Sequence, residues 1–372
     1  MDTEKYILIN GTHEVISENY KKIATEKSGD DIGHYVYLEA TKKIIKEQTN
    51  LKLLSYQNYK ANQEQYINKI EKVVLNLGNT IIKNKKIRDQ ISEYNQLIEK
   101  INCEKYIFSI GADSGNLHYR NFSESEKKLY TEFFQKFKYC YLRGKYTYNL
   151  LKHNDIPLDN LKIVGCPSIL LNRVRAFEIK NKFTEILQSF VKTNNLKRYN
   201  LGLTFSSKSK VKITNQLKNL MSDPNVYTVA LHGVNWSNFI NFGHKLEVNN
   251  ANVDEINKNQ KNFVFNHDIS KTILYIKENM DLMIGTHIYG VIMGILAGIP
   301  SMCIVTDASS FEMCEQMNIP YINCIKKSIN FENKNDLCRI FMENYEFLKN
   351  DDFRKTLKDN SNLYDIMNLE DG

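Results

Sequence analysis

Short apolar runs rich in β-branched residues alternate with longer amphipathic segments along the whole chain of 372 residues. This alternation is typical of βα units built around parallel sheets. In the first half it predicts strands at Tyr6–Ile9, Lys52–Ser55, Val73–Leu77, Tyr106–Ile110, Tyr139–Leu142 and Lys162–Val164. In the second half it predicts strands at Leu201–Phe205, Val226–Ala230, Phe263–Phe265, Leu282–Ile284, Met302–Val305 and Tyr321–Asn323.

A long helical pattern, from Leu171 to about Lys192, separates the two series of strands and is followed by a polar stretch at 193–200. The pattern predicts the α/β fold class, with two Rossmann-like, doubly wound lobes facing a cleft. We place the lobes at residues 1–190 and 199–335, and expect the last segment, 336–372, to form helices that pack back on the first lobe. Ligands of doubly wound sheets bind at the carboxyl ends of the strands, so the cleft is the predicted binding site.

The charge of the chain favours a small anionic partner over nucleic acid. Its net charge is +7, but the lysines are scattered among acidic and polar residues and form no arginine-rich stripe. A basic surface of this kind suits anionic substrates or an anionic membrane face. Nucleic acid is therefore not an expected partner.

The cysteines and the apolar stretches indicate a cytoplasmic protein. Seven cysteines are present without a CxxC pair, which is typical of reduced thiols and gives no zinc-site spacing. The most apolar stretch, Val291–Val305, is interrupted by Gly298 and Pro300 and is too short to span a bilayer. The histidines show no metal-binding spacing, and no metal is predicted.

The most informative segment is DLMIGTHIYGVIMGILAGIP at 281–300. A buried strand ends at Gly285, and Thr286, His287 and Tyr289 occupy the turn into a helix that begins with the small residue Gly290. A helix N-terminus at such a turn attracts anions. We expect Thr286 to cap the helix and His287 and Tyr289 to face the cleft; the alternative is an ordinary histidine at a turn.

Four further segments supply candidate residues at predicted strand ends. DDIGHYVYLEA, from residue 30, is a glycine-bearing loop that leads into a helix, and VVLNLGNTI at 73–81 is a strand followed by a loop that contains an asparagine. FSIGADSG at 108–115 is a glycine-bearing strand end that opens on the cleft. In YLRGKYTYNLL, at 141–151, an arginine follows a strand and is a natural ligand for phosphate or carboxylate, unless it only forms a surface salt bridge. The candidates are Asp31, Gly33, Asn79, Gly111, Ser114, Arg143, Lys145 and, after a strand of the second lobe, His232.

These segments resemble the polysaccharide pyruvyl transferase family. The family pattern Gly-Thr-Arg-Ile-His-Gly, followed by Ala-Gly-Ile-Pro, is matched by the 285–290 turn and by 297–300. The pattern Asp-x-Arg-Thr-x-Glu-Met is matched by DASSFEM, which retains Asp307 and Glu312. The arginine of Val-Arg-Glu-x-x-Thr is Arg143. His287, Tyr289 and Ser309 replace the family's arginine, histidine and second arginine.

The resemblance implies a two-lobed fold like that of B-type glycosyltransferases. It also implies transfer of a pyruvyl unit from phosphoenolpyruvate, without a cofactor, to a sugar of a surface glycan or its precursor, including a lipid-linked one at the inner membrane face. The implied catalytic residues are His287, Tyr289, Arg143 and Asp31. The implied substrate-binding residues are Gly33, Asn79, Gly111, Ser114, Lys145, His232, Gly285, Thr286, Gly290, Asp307 and Glu312.

Two alternatives remain open at this point. A glycosyltransferase of the same architecture would use a nucleotide sugar, and Glu312 would then hold a ribose or sugar hydroxyl. A non-catalytic glycan-binding protein would explain the two lost arginines.

Overall fold

The computed structural model shows two parallel sheets with helices packed on them. It describes residues 4–10, 33–81, 85–112, 114–172, 176–193, 198–205, 211–229, 231, 262–264 and 268–344. The predicted site residues Asp31 and His232 lie outside these ranges. Within them, no helix is long and apolar enough to cross a membrane.

The first sheet has six parallel strands in the order β2-β1-β3-β4-β5-β6. The strands are β1 Tyr6–Ile9, β2 Lys52–Ser55, β3 Ile70–Ile81, β4 Glu104–Ala112, β5 Tyr139–Leu142 and β6 Leu161–Ile163. β3 and β4 are longer than predicted because each continues past its central apolar run into the residues that flank it. The order reverses between β1 and β3, which places a ligand-binding crevice at their carboxyl ends.

The second sheet also has six parallel strands, in the order β12-β11-β10-β7-β8-β9. The strands are β7 Leu201–Thr204, β8 Val226–Val229, β9 Phe263–Val264, β10 Leu282–Gly285, β11 Ser301–Val305 and β12 Tyr321–Asn323. Its order reverses between β7 and β10. All twelve predicted strands are present, and the prediction of two doubly wound α/β lobes is confirmed.

Twelve α-helices lie in the described part of the chain. They are α1 Gly33–Gln48, α2 Tyr56–Ala61, α3 Gln63–Tyr66, α4 Lys85–Glu99, α5 Glu124–Phe134, α6 Lys145–His153, α7 Ala176–Thr193, α8 Val211–Asn219, α9 Ile269–Asn279, α10 Ile288–Leu296, α11 Ala308–Met317 and α12 Lys334–Asn344. Local sequence explains several of their starts. Ser123 and Glu126 form a capping box at α5, and the side chain of Asp268 caps α9.

The two lobes share one apolar core. Val36 and Ile45 of α1, in the first lobe, belong to the same buried cluster as Ile292 and Ile295 of α10, in the second. Burial of apolar surface is the main favourable term in folding, so this shared cluster holds the lobes against each other. The carboxyl ends of both sheets are therefore brought to a common seam.

The C-terminal helix α12 packs on the second lobe and on α7. Lys334 donates to the carbonyl of Tyr199 at 3.0 Å, and the rings of Phe341 and Phe183 are 6.4 Å apart. The helix α7 is itself tied to the second lobe, since Lys182 lies 3.2 Å from Asp281. The prediction that 336–372 pack back on the first lobe stays a prediction, since α7 itself lies almost wholly within the bounds 1–190. Residues 345–372 lie outside the described residues.

Gly285 provides a test of how tightly β10 and β7 pack. A Cβ on Gly285 would fall 1.7 Å from the carbonyl oxygen of Thr204, which is a backbone atom and cannot rotate away. We expect Gly285→Ala to lower the free energy of unfolding by about 3 kcal/mol through this overpacking. Chemical denaturation measures the change. Gly115→Ala is the matched control, because a Cβ there meets no atom within 4 Å, and equal stability losses in both variants would contradict this account.

Candidate active site

The seam between the lobes contains a buried arginine that is bonded to both of them. Arg143 directly follows β5, and its Nε donates to Ser109 Oγ at 2.9 Å. Its Nη1 donates to Asn79 Oδ1 at 2.7 Å, and its Nη2 donates to the Tyr289 hydroxyl at 2.5 Å. The rings of Tyr37 and Tyr289 lie 5.2 and 5.8 Å from the guanidinium carbon. We call these five residues the Arg143 junction.

The positive charge of Arg143 is buried without an ion pair. The side chain is 2% exposed, and each of its hydrogen-bond partners in the described part of the chain is a hydroxyl or an amide. Burial alone would lower the pKa of Arg143, but neighbouring acidic groups, led by Tyr289, more than offset it and hold that pKa above its usual range. The guanidinium therefore keeps its charge in a nearly dry environment.

Close backbone approach explains why glycines surround this arginine. A Cβ on Gly111 would lie 2.8 Å from Arg143 Cδ and 3.1 Å from Glu312 Oε1, so no side chain fits there. Gly78 has a φ of 60° and Ser109 a φ of 59°. A serine in this left-handed conformation is strained, and such strain is concentrated at functional sites. Here it directs the Ser109 hydroxyl at Arg143 Nε.

The second lobe supplies the start of α10. Tyr289 and His287 are 5% and 4% exposed, and their rings are 5.9 Å apart. The helix cap is His287, not Thr286 as predicted, and it makes no side-chain capping bond. Thr286 lies one residue before the cap and still belongs to the sheet, because its N–H donates to the Thr204 carbonyl at 2.9 Å.

Two predicted substrate-binding glycines, Gly285 and Gly290, pack against β7. A Cβ on Gly290 would fall 2.3 Å from Thr204 Oγ1, and the contact of Gly285 with the same residue is closer still. Their small size is therefore explained by contact between α10, β10 and β7. Gly33, a third predicted residue, begins α1 at the seam side of the first lobe.

The predicted residue Asp307 caps α11 within the second lobe, and the predicted residue Ser114 accepts a backbone hydrogen bond from the same helix across the seam. Asp307 caps α11, since its Oδ1 accepts from the N–H of Ser310 at 2.7 Å. The N–H of Ala308 donates to the carbonyl of Ser114 at 2.9 Å. Ser309, which replaces a family arginine, donates to Asn79 Oδ1 at 2.9 Å, so that oxygen accepts from both lobes.

Glu312 reaches from α11 into the first lobe and caps α6. Its Oε2 accepts from the N–H of Thr147 at 2.8 Å, and its Oε1 accepts from the Thr147 hydroxyl at 2.7 Å. The helix has no cap of its own, because its first flanking residue is Gly144. Burial raises the pKa of Glu312 to about 7, although the Thr147 bonds and Arg143 oppose the shift.

A cavity of about 280 Å³ opens beside Glu312, between α6 and α11. Lys145, the last of the predicted residues, lies in its wall together with Tyr119 and Asn149 from the first lobe and Gln316 from the second. We call this space the α6–α11 cavity. It is adjacent to the Arg143 junction but separate from it, because Glu312 stands between them.

The sequence matches the profile of a family described as polysaccharide pyruvyl transferase over residues 29–308. The chain belongs to the polysaccharide pyruvyl transferase family. As a member of it, the chain is a glycan-modifying transferase. A search of curated proteins finds no match.

Several solved structures are similar to this polysaccharide pyruvyl transferase family member at low identity. A glycosyltransferase from Rickettsia africae has a TM-score of 0.41 and 13% identity, over 98% of this chain and 94% of that one. An uncharacterised protein from Klebsiella pneumoniae has a TM-score of 0.45 and 11% identity, over 86% and 93%. HepE from Anabaena, solved with UDP and glucose, has a TM-score of 0.42 and 11% identity, over 98% and 94%.

Three residues of the site were not predicted from the sequence of this family member. Ser109 and Tyr37 contact Arg143, and Thr147 holds Glu312. Ser109 stands two residues before Gly111 in a segment that the resemblance had already selected. Thr147 coincides with the threonine of the family pattern Val-Arg-Glu-x-x-Thr, which was a usable signal. Tyr37 lies in DDIGHYVYLEA, another segment that the resemblance had selected, but nothing in the sequence distinguishes it from Tyr35 of the same segment.

The raised pKa of Glu312 predicts an unusual dependence of stability on pH. The folded state binds the carboxyl proton of Glu312 more tightly than the unfolded chain does. The free energy of unfolding therefore falls as pH rises from the ordinary pKa of a glutamate to about 7. Relative to Glu312→Gln, the wild type should lose on the order of 3 kcal/mol of unfolding free energy between pH 4.5 and 7.5. Denaturation at several pH values measures it. Glu343→Gln, an exposed glutamate, is the control, and a parallel slope in both variants would contradict the assignment.

Proposed function

We propose that this chain transfers the pyruvyl unit of phosphoenolpyruvate to a sugar of a surface glycan or of its precursor. The supporting observation is the buried guanidinium of Arg143, which has no carboxylate in ion-pair contact among the described residues. Keeping a cation in such a place is costly unless an anion neutralises it. Phosphoenolpyruvate carries a phosphate and a carboxylate, both of which match the forked donors of arginine.

The proposed reaction forms a pyruvate ketal. Two hydroxyl oxygens of the sugar bond to the central carbon of the enolpyruvyl group, and the bond from that carbon to the phosphate oxygen breaks. The two hydroxyl groups lose one proton each. One proton is matched by the proton that converts the methylene carbon to a methyl group, and the other leaves with the phosphate. The enzyme must therefore supply a cation for the phosphate, a base for the hydroxyls and an acid for the carbon.

The residues of the junction suit these tasks. Arg143 would hold the anionic donor, since its two terminal nitrogens carry more N–H groups than the bonds to Asn79 and Tyr289 use. The Tyr289 hydroxyl already accepts from the guanidinium and would pass a proton to or from the reacting group. His287, beside it, would add positive charge when protonated. Asp31 remains the proposed base.

The alternatives receive less support. Use of a nucleotide sugar depended on Glu312 holding a hydroxyl, but both of its oxygens accept from Thr147. A protein that only binds glycans needs no buried cation, because sugar hydroxyls are neutral. Arg143 would then be an unexplained cost to stability.

The donor proposal is tested by binding of phosphoenolpyruvate. We expect Arg143→Gln, which removes the charge while keeping an amide, to weaken binding by about 1.5–3 kcal/mol in titration calorimetry. Arg339→Gln is the control, because Arg339 is exposed and far along the chain in α12. Circular dichroism checks that the variants fold. Equal affinity of wild type and Arg143→Gln, or stabilisation of the wild type by nucleotide sugars alone, would overturn the proposal.

A further inference from the structure

The α6–α11 cavity is separate from the Arg143 junction, and it has features of a binding site of its own. Both lobes contribute to its wall, with Lys145 and Asn149 on α6 and Gln316 on α11. Ligand sites occur preferentially at such boundaries between domains. At about 280 Å³, the cavity is slightly smaller than the range of roughly 300–1,000 Å³ that is typical of drug-sized ligands.

We propose that the α6–α11 cavity binds one neutral sugar ring of the glycan, a unit beside the one that reacts. Its place beside the reacting unit rests on the proposed function; the binding of a sugar does not. Three properties of the wall support this assignment: an exposed aromatic ring, solvent-facing polar side chains that donate and accept hydrogen bonds, and charged groups of both signs.

The aromatic ring is that of Tyr119, which is 41% exposed. It does not move freely, because it lies 5.4 Å from the ring of Tyr146 and 5.9 Å from the ring of His153. Tyr146 is anchored in turn, since its hydroxyl donates to the carbonyl of His118 at 3.0 Å. A fixed, exposed ring offers an apolar face with a polar tip, and the C–H face of a sugar is complementary to it.

The polar groups are the side chains of Lys145, Asn149 and Gln316. None of them has a hydrogen bond or ion pair to any other residue in the part of the chain that the structure describes. Each amide presents both donors and an acceptor, and a sugar hydroxyl likewise donates and accepts. Two amides and one ammonium group on one small wall can bind several hydroxyls of a single sugar ring.

The wall carries charged groups of both signs. Lys145 is the cation, and the carboxyl groups are those of Glu315, which accepts from the Tyr321 hydroxyl, and of Glu312, whose pKa burial raises to about 7. An anionic ligand would meet Glu315, and a cationic one would meet Lys145. A neutral, hydroxylated ligand satisfies both.

The size and position of the cavity fit one sugar ring next to the donor. Its volume of about 280 Å³ is enough for one sugar ring. Glu312 forms the inner wall, and its Oε1 and Arg143 Cδ both lie within about 3 Å of the point where a Gly111 Cβ would stand. A sugar in the cavity would therefore be separated from the cation by a single carboxyl group.

Methyl glycosides of common hexoses and N-acetylhexosamines, observed by saturation-transfer NMR on the full chain, test the proposal. We expect at least one of them to bind, with its signal weakened about tenfold by Tyr119→Ala and by the double variant Asn149→Ala with Gln316→Ala. Lys145→Ala should weaken binding, whereas Lys128→Ala, an exposed lysine on α5 that does not line the cavity, should not. Gln135→Ala, on the exposed end of α5, is the control for amide loss.

Phosphoenolpyruvate binding is measured on the same variants, which separates the two proposals. If the cavity variants lose the glycoside and keep phosphoenolpyruvate, both proposals are supported. If glycosides bind through the cavity but phosphoenolpyruvate does not bind at all, the sugar site stands and the donor proposal fails. The sugar site is overturned if no glycoside binds to the wild type, or if the cavity variants bind the glycoside as well as the wild type does.

Discussion

The arrangement of the seam depends on one buried charge. A guanidinium has its donors in a fixed plane, so each partner of Arg143 must come to a defined position around it. Ser109 meets this requirement by adopting a left-handed backbone conformation at the end of β4, and Tyr289 meets it from the other lobe. The neighbouring acidic groups, led by Tyr289, favour the charged form of Arg143, and the terminal nitrogens of the guanidinium still carry N–H groups that an anion could accept from.

The polar contacts around Arg143 form a continuous path between the lobes. Asn79 Oδ1 accepts from Arg143 and also from Ser309, so one amide oxygen joins β5 to α11. The loss of the family arginine at Ser309 therefore does not leave a gap; a short hydroxyl takes a structural place there. The cationic character of the site is concentrated on Arg143 as a result, and His287, whose ring lies 5.9 Å from that of Tyr289, is a further group that can add to it.

The strands were predictable because each is a short apolar run that is bounded by polar residues, and this pattern is local. The site was predictable only as a set of strand ends. Tyr289 is 146 positions away from Arg143, and Thr147 is 165 positions away from Glu312, so their contacts arise from the packing of two lobes and not from spacing. The cap at His287 was misassigned to Thr286 because the sequence does not show that the Thr286 N–H is used by β7.

The cap that Glu312 places on α6 makes a helix end in one lobe dependent on the position of the other. Gly144 offers no side chain, so separation of the lobes would leave the first turn of α6 with free N–H groups exposed to water. The same turn begins with Lys145 and Tyr146, which line the cavity. Separation of the lobes would thus destabilise the helical turn that forms the wall of the cavity, and closure of the lobes would stabilise it again. In such an arrangement the separation of the lobes and the order of one ligand site are thermodynamically linked.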